Sequence, residues 1–282
     1  MQHLKMSIES NFNKLSKGVQ KVASYFLKDP EVFAVYPADQ IGKTIGVSET
    51  TVIRFCQTLG FKGYSGFQKK IQESVLNRRS SLSDYQSGKR AIKESSNFLQ
   101  EVMFTDAQNI EKVAAQLSEQ DFLQAVHSLA TADQVLVAGV RSSYSLASWF
   151  SFSLELIQGK VKQYRSNHDD ILLLFSEINS NKVLVAFSFH RYALETINLA
   201  KEAKKRGAYV IGITDSAVAP IREHCDLLLP VELPVPSTLD ATPAAFSLLN
   251  AIIAGVAVQN GEEFERRRKK FESVQLDHYF VN

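Results

Sequence analysis

Residues 38–61 read ADQIGKTIGVSETTVIRFCQTLGF, and the spacing of their apolar side chains decides the architecture of the first part of the chain. Ile41, Ile45, Val47, Val52 and Phe55 fall where two helices joined by a tight turn would point inward. Gly42 is small where the helices would approach, and Gly46 stands where the turn needs a positive φ. Ser48 can cap the second helix, which leaves Glu49, Thr50, Thr51, Arg54 and Gln57 on its outer face. Two readings fit: a structural helical hairpin, and a recognition helix whose polar side chains reach base edges or phosphates in a DNA groove. Lys43, Lys62, Lys69 and Lys70 weigh for the second, as phosphate clamps flanking the helix.

Outward from this stretch the pattern stays helical. Leu15, Val19, Val22, Ala23, Phe26 and Leu27 recur at intervals of three and four and predict an amphipathic helix that Asp29-Pro30 ends. A short helix through Val32 and Phe33 should follow, and another from about Tyr64 to Asn77. Residues 1–80 carry 12 Lys/Arg against 6 Asp/Glu, a balance of +6, whereas the rest of the chain sums to −4. A local basic excess favours a polyanionic partner, because neutralising phosphates releases counterions, although solvated helices are often basic too. The polar segment NRRSSLSDYQSGKR, residues 77–90, reads as a linker. The expected division is a DNA-binding domain over 1–77, a linker over 78–95 and a second domain over 96–282.

Beyond the linker, helices at about 96–117 and 119–130 lead into a different period. QVLVAGV (134–140), DILLLFS (170–176), KVLVAFS (182–188), AYVIGIT (208–214) and CDLLLPV (225–231) are short apolar runs rich in β-branched residues, and helix-length patterns separate most of them. Continuous apolar strands alternating with helices predict a parallel sheet covered on both faces. The fold class is therefore α plus α/β: an all-helical N-terminal domain and a doubly wound C-terminal one. The 282 residues show no apolar run of membrane-spanning length and no secretory leader, so a cytoplasmic protein with no membrane partner is expected. Cys56 and Cys225 lack ligand spacing and read as buried or half-buried thiols; no metal and no cofactor is expected.

In a doubly wound sheet ligands sit at the carboxyl ends of strands, where helix N-termini present free N–H groups to anions. Two such ends carry hydroxyl-rich loops here. RSSYSLA after the first strand offers Ser142 and Ser143, and FHRYALET after KVLVAFS adds His190 and Arg191 to Ser188. Small hydroxyls and a guanidinium suit a phosphate's acceptors, while the same serines could simply cap helices and His190 could be structural.

VSETTVIRFCQTLGFKGYSGFQ (47–68) closely resembles the helix-turn-helix signature of the RpiR family of bacterial transcriptional regulators, and LSKGVQKVASYFLKDPE (15–31) resembles that family's first helix. The α/β half resembles a sugar isomerase (SIS) domain, the ligand-sensing module of these regulators. That resemblance implies an operator-binding regulator, commonly dimeric, whose effector is a phosphosugar held by Ser142, Ser143 and Ser188, with Ser237 and Thr238 of PVPSTLDATP (234–243) as a third contribution. The first loop departs from the family's Gly-x-Gly-x-Ser by placing Arg141 and Ser142 after Gly139-Val140, and the second has His190-Arg191 where Ser-Gly is usual. Both departures add positive or titratable character, which leaves two readings open: an effector with a carboxylate beside its phosphate, and one that is not a phosphosugar. The alternative function is a sugar-phosphate isomerase, for which Glu155, Glu195, Glu223 and His224 are the available bases. An adaptor that uses the helical half to bind protein is a third reading. The tail EEFERRRKKFESVQLDHYFVN (262–282) reads as a solvated helix or as an inter-subunit strap.

Overall fold

The structure is a computed structural model that describes residues 4, 8, 12, 15–78, 85, 86, 88–90, 97–233 and 237–274. It divides into two compact units, Met1–Arg79 and Ser80–Asn282.

The first unit contains α1 (Lys17–Lys28), α2 (Val32–Val35), α3 (Ala38–Ile45), α4 (Glu49–Thr58) and α5 (Tyr64–Arg78). Its core is built on four phenylalanines, one each from α1, α2, α4 and α5. Phe26, Phe33, Phe55 and Phe67 are fully buried, and every pair of their rings lies between 5.3 and 6.2 Å apart, edge-on or tilted. Each such pair adds about 0.5–1.5 kcal/mol beyond the area it buries. The Tyr64 hydroxyl donates to the Tyr36 carbonyl at 2.6 Å and tethers α5 to the end of α2. The turn between α3 and α4 needs both of its glycines. Gly46 closes α3 at φ 74°, and a Cβ on Gly42 would stand 2.8 Å from the Val47 carbonyl oxygen. Ile41, Val52 and Phe55 are buried as expected, whereas Ile45 and Val47 are half-buried at the rim of the turn. α5 continues through Arg78, past the point where the linker was expected to begin. Most of the expected linker lies outside the described residues, although 85, 86 and 88–90 are helical.

The second unit is a five-stranded sheet of β1 (Gln134–Ala138), β2 (Val161–Gln163), β3 (Lys182–Ser188), β4 (Tyr209–Thr214) and β5 (Leu227–Pro230). All neighbours are parallel, in the order β2-β1-β3-β4-β5. Alternate strand residues feed two cores. Val135, Val137, Val183 and Val185 face one that includes α7 (Glu119–Thr131), α8 (Tyr144–Ile157) and α11 (Thr238–Gln259). Leu136, Ala138, Leu184 and Ala186 face the other, with α10 (Leu194–Lys205). Burial on both faces is why these strands read as unbroken apolar runs. α6 (Phe98–Gln116) packs on α11, and α12 (Gly261–Glu272) follows it.

The sequence expectation fails at two places. DILLLFS is not a strand: Ile171–Glu177 forms a helix, α9, whose start is capped by Asp170 Oδ1 accepting the Leu173 N–H at 2.9 Å. Its leucines did not signal burial, since Leu172 and Leu173 are exposed and only Leu174 is buried. The strand that takes the missing place is β2, three half-buried residues, Val-Lys-Gln, at the sheet edge, where pairing with β1 substitutes for apolar character. The absence of an apolar run of spanning length also needs correction. α11 has 22 residues, and an 18-residue stretch of it has a mean hydropathy of 1.8, enough by length and composition to cross a membrane. A core helix passes the same test, and seven α11 residues, from Ala241 to Val256, are buried against the sheet unit.

Candidate functional site

The strand order reverses between β1 and β3, so the loops leaving these two strands open away from each other and leave a crevice at the carboxyl edge of the sheet. A cavity of about 230 Å³ lies there. It is lined by Val140 to Ser143 after β1, Phe187 to Arg191 at the end of β3, Thr196 in the first turn of α10, Ser237 to Leu239 at the start of α11, and Tyr85. Every residue proposed from the sequence as an effector contact, Arg141, Ser142, Ser143, Ser188, His190, Arg191, Ser237 and Thr238, lines this one cavity.

Their roles differ. Ser188 is 2% exposed and Thr196 1% exposed, and neither side-chain oxygen has a hydrogen-bond partner among the described residues. A buried hydroxyl left in this state costs roughly 1–3 kcal/mol. Ser237 is less free, because its Oγ accepts the Asp240 N–H at 3.3 Å and caps α11. Ser142 is exposed, with its carbonyl accepting the Ser145 hydroxyl at 3.3 Å, and Ser143 is buried at the mouth of α8.

The β3 loop is held from the neighbouring strand. Asp215, just past β4, accepts the His190 N–H at 3.0 Å and the Tyr192 hydroxyl at 2.8 Å, while Thr214 donates to the Ser188 carbonyl at 2.6 Å. His190 Nδ1 is buried without a partner among the described residues, and burial holds this imidazole below its usual pKa, with Asp215 opposing and Arg191 reinforcing the shift. Arg141 and Arg191 both adopt left-handed backbone, φ 57° and 67°, which non-glycine residues rarely take and which tends to persist at functional sites. Neither guanidinium forms a salt bridge with a described residue. The carboxylates that could have paired with them are engaged elsewhere: Glu155 with Arg267, and Glu195 with the Tyr164 hydroxyl at 2.7 Å.

A second, wider cavity of about 760 Å³ shares Val140, Arg141 and Ala193 with the first and extends past Arg165, His168 and Glu195. Burial and the Glu195 carboxylate push the Tyr164 hydroxyl up to about 12, so it remains a donor. Thr196, Asp215 and Tyr85 were missed in the sequence. Thr196 ends the quoted FHRYALET run, but its helix turn toward the crevice is visible only in the fold, and no local pattern marks the other two.

In the first unit Glu49, Thr50, Arg54 and Gln57 are exposed along α4, with Lys43 and Lys62 exposed on either side of it. Ser48 caps α4, its Oγ accepting the Thr51 N–H at 3.3 Å. Thr51 departs from the expected outer face. It is half-buried, its hydroxyl is 2.9 Å from that of Ser48, and its methyl lies near Gly18 of α1. Lys43 makes a solvent-exposed ion pair with Asp39 at 3.2 Å.

A helix-turn-helix unit and a doubly wound domain with a polar crevice at its switch point define a helix-turn-helix protein with a SIS-type second domain. The model of the rpiR-family helix-turn-helix domain matches residues 1–78 and that of the SIS domain residues 128–255. The chain belongs to the RpiR family of transcriptional regulators. Among its relatives, an HTH-type transcriptional regulator of Haemophilus influenzae is 27% identical over 79% of this chain and 77% of its own length. The HTH-type transcriptional regulator HexR of Pseudomonas aeruginosa is 22% identical over 96% of this chain and 95% of its own. Two solved structures share the fold. The Vibrio vulnificus NanR protein complexed with ManNAc-6P is 18% identical with a TM-score of 0.58, covering 99% of this chain and 100% of that one. The sugar isomerase domain of an RpiR transcription factor from Sphaerobacter thermophilus is 19% identical with a TM-score of 0.56, covering 62% and 97%.

Proposed function

We propose that this regulator binds double-stranded operator DNA through Lys43, Ser48, Glu49, Thr50, Arg54, Gln57 and Lys62, with Thr51 packed inward against α1, and that its SIS cavity holds a phosphosugar or related anionic sugar that controls carbohydrate-metabolism genes. The observation that carries the effector half is the pair of buried hydroxyls of Ser188 and Thr196, unpartnered among the described residues, in a cavity lined by two arginines that form no salt bridge with a described residue. A phosphate's oxygens would satisfy those donors and the guanidinium groups together. NanR, the Vibrio vulnificus protein of the same fold, is complexed with a sugar phosphate, which supports this ligand class.

Sensing fits better than isomerisation. No carboxylate is among the described residues lining the first cavity, and of the four bases available to an isomerase only Glu195 reaches even the second. The relatives named as transcriptional regulators support the same choice. A cytoplasmic homodimer is proposed, because two-fold assemblies match the two-fold operators that helix-turn-helix proteins generally read. A gel shift on the gene's own upstream region, run beside a sugar-phosphate turnover assay, tests the proposal. Retarded DNA that responds to added sugar phosphate, without turnover, is the expected result; turnover without DNA binding would overturn it.

A further inference from the structure

The lining of the proposed effector cavity includes Tyr85, a residue that the sequence places in the segment leading from the DNA-binding helices into the second domain. Tyr85 belongs to the same compact unit as the sheet. The short helical piece that carries it is fastened by Lys89, whose ammonium lies 2.8 Å from Asp240 Oδ1 in the first turn of α11 and 5.3 Å from the centre of the Tyr85 ring. Both partners of the ion pair are mostly buried, with side chains 18% and 17% exposed. An ion pair that gives up this much solvent is held by geometry rather than by chance encounter, and removing one partner strands the other. Asp240 is also the residue whose N–H is capped by Ser237, so the fastening point and the third effector loop are one turn of one helix.

The lining is chemically mixed: Ser188, Thr196 and the arginines are polar, whereas Tyr85 and Leu239 offer aromatic and apolar surface. A phosphosugar has the same two characters, with a charged end and a ring whose C–H faces pack on aromatic surfaces while a tyrosine hydroxyl remains able to bond at the edge.

We infer that Tyr85 is the sugar-binding wall of the effector site, packing on the carbohydrate ring of a phosphosugar whose phosphate occupies the Ser188–Thr196 cradle, and that Lys89, through Asp240 and the Tyr85 ring, is the positioning residue that holds it there. This rests on the phosphosugar reading above, and its test separates the two. Isothermal titration of the full chain uses inorganic phosphate as the minimal anion and a panel of hexose and N-acetylhexosamine 6-phosphates as complete ligands. Tyr85→Ala should weaken the best sugar phosphate about tenfold, near 1.4 kcal/mol, and inorganic phosphate less than about twofold, whereas Tyr85→Phe should retain most of the sugar affinity. Lys89→Ala should weaken the sugar phosphate alone, about threefold, with recovery in Lys89→Arg. Ser188→Ala should weaken both probes. The inference is overturned if Tyr85→Ala affects both probes equally or neither, or if no sugar phosphate binds more tightly than inorganic phosphate. Absence of binding by every probe would instead overturn the phosphosugar reading on which it depends.

Discussion

The Asp215 carboxylate accepts the backbone N–H of His190 across the gap between the ends of β4 and β3. With the second bond from Tyr192, this single side chain sets the course of the loop that presents Ser188, His190 and Arg191 to the crevice. Hydrogen bonds to a charged acceptor are worth about 1.5–3 kcal/mol when their partners would otherwise be stranded. Asp215→Ala should therefore lower unfolding free energy by about 2–3 kcal/mol in chemical denaturation and also weaken anion binding. A variant that loses stability but binds phosphate like the wild type would show that the loop's course does not matter to the ligand.

His190 predicts a pH dependence with a definite sign. Its folded pKa lies below the ordinary 6.5, with burial the largest cause. The neutral ring's contribution to stability is thus present above 6.5 and lost as pH falls through the folded value. An anion beside the ring acts oppositely, drawing a proton onto it on binding. Sulfate, which stays dianionic through this range, should bind more tightly as pH falls from 7.5 toward 5.5, and His190→Gln should flatten the trend. Asp215 and Arg191 are the charged groups acting on this ring. Sulfate affinity that is independent of pH in the wild type would remove His190 from the site.

What could be read from the sequence divides along physical lines. The recognition hairpin was legible because local rules govern it: apolar spacing, a serine cap and a glycine at positive φ all lie within residues 38–61. Four of the five strands were legible because burial on both faces leaves a dense apolar record. β2 was not, since an edge strand of three residues takes its conformation from β1, and the run 170–176 misled because exposed leucines resemble buried ones in a string of letters. The loops that line the crevice were legible from strand ends. Asp215 and Tyr85 were not, because one acts from the neighbouring strand and the other from a segment whose polar composition marked it as a linker.

On the DNA side, Arg54 and Lys62 should behave differently. Arg54 projects from the exposed face of α4, within the part of the helix that can reach base edges, whereas Lys62 follows the helix and suits the backbone. Arg54→Ala should cost about 1–3 kcal/mol of operator affinity and relax the preference at one base pair. Lys62→Ala should weaken all sequences alike and reduce the salt slope by about one. Competition gel shifts at several salt concentrations distinguish these outcomes, and unchanged operator affinity in Arg54→Ala would exclude that residue from the interface.

The left-handed arginines offer a test in which stability and binding separate. At φ 67° a Cβ is strained by about 1 kcal/mol, and glycine is not. Arg191→Gly and Arg191→Ala remove the same guanidinium, yet the glycine variant should be the more stable of the two by up to about 0.6 kcal/mol once the roughly 0.4–1 kcal/mol cost of its looser unfolded chain is subtracted. Both should lose the same affinity for an anion if the side chain faces the ligand. Arg141 stands where the two cavities meet, so the two guanidinium groups together favour a ligand with more negative charge than a hexose monophosphate. A thermal-shift panel reads this directly, since ligand at a hundred times its dissociation constant stabilises the fold by about 2.7 kcal/mol. Sugar-acid phosphates and bisphosphates should shift the wild type most, and that advantage should shrink in both Arg191 variants. If plain hexose monophosphates shift the midpoint as strongly, and Arg191→Ala leaves every shift unchanged, the arginines point to solvent and the extra-anion assignment fails.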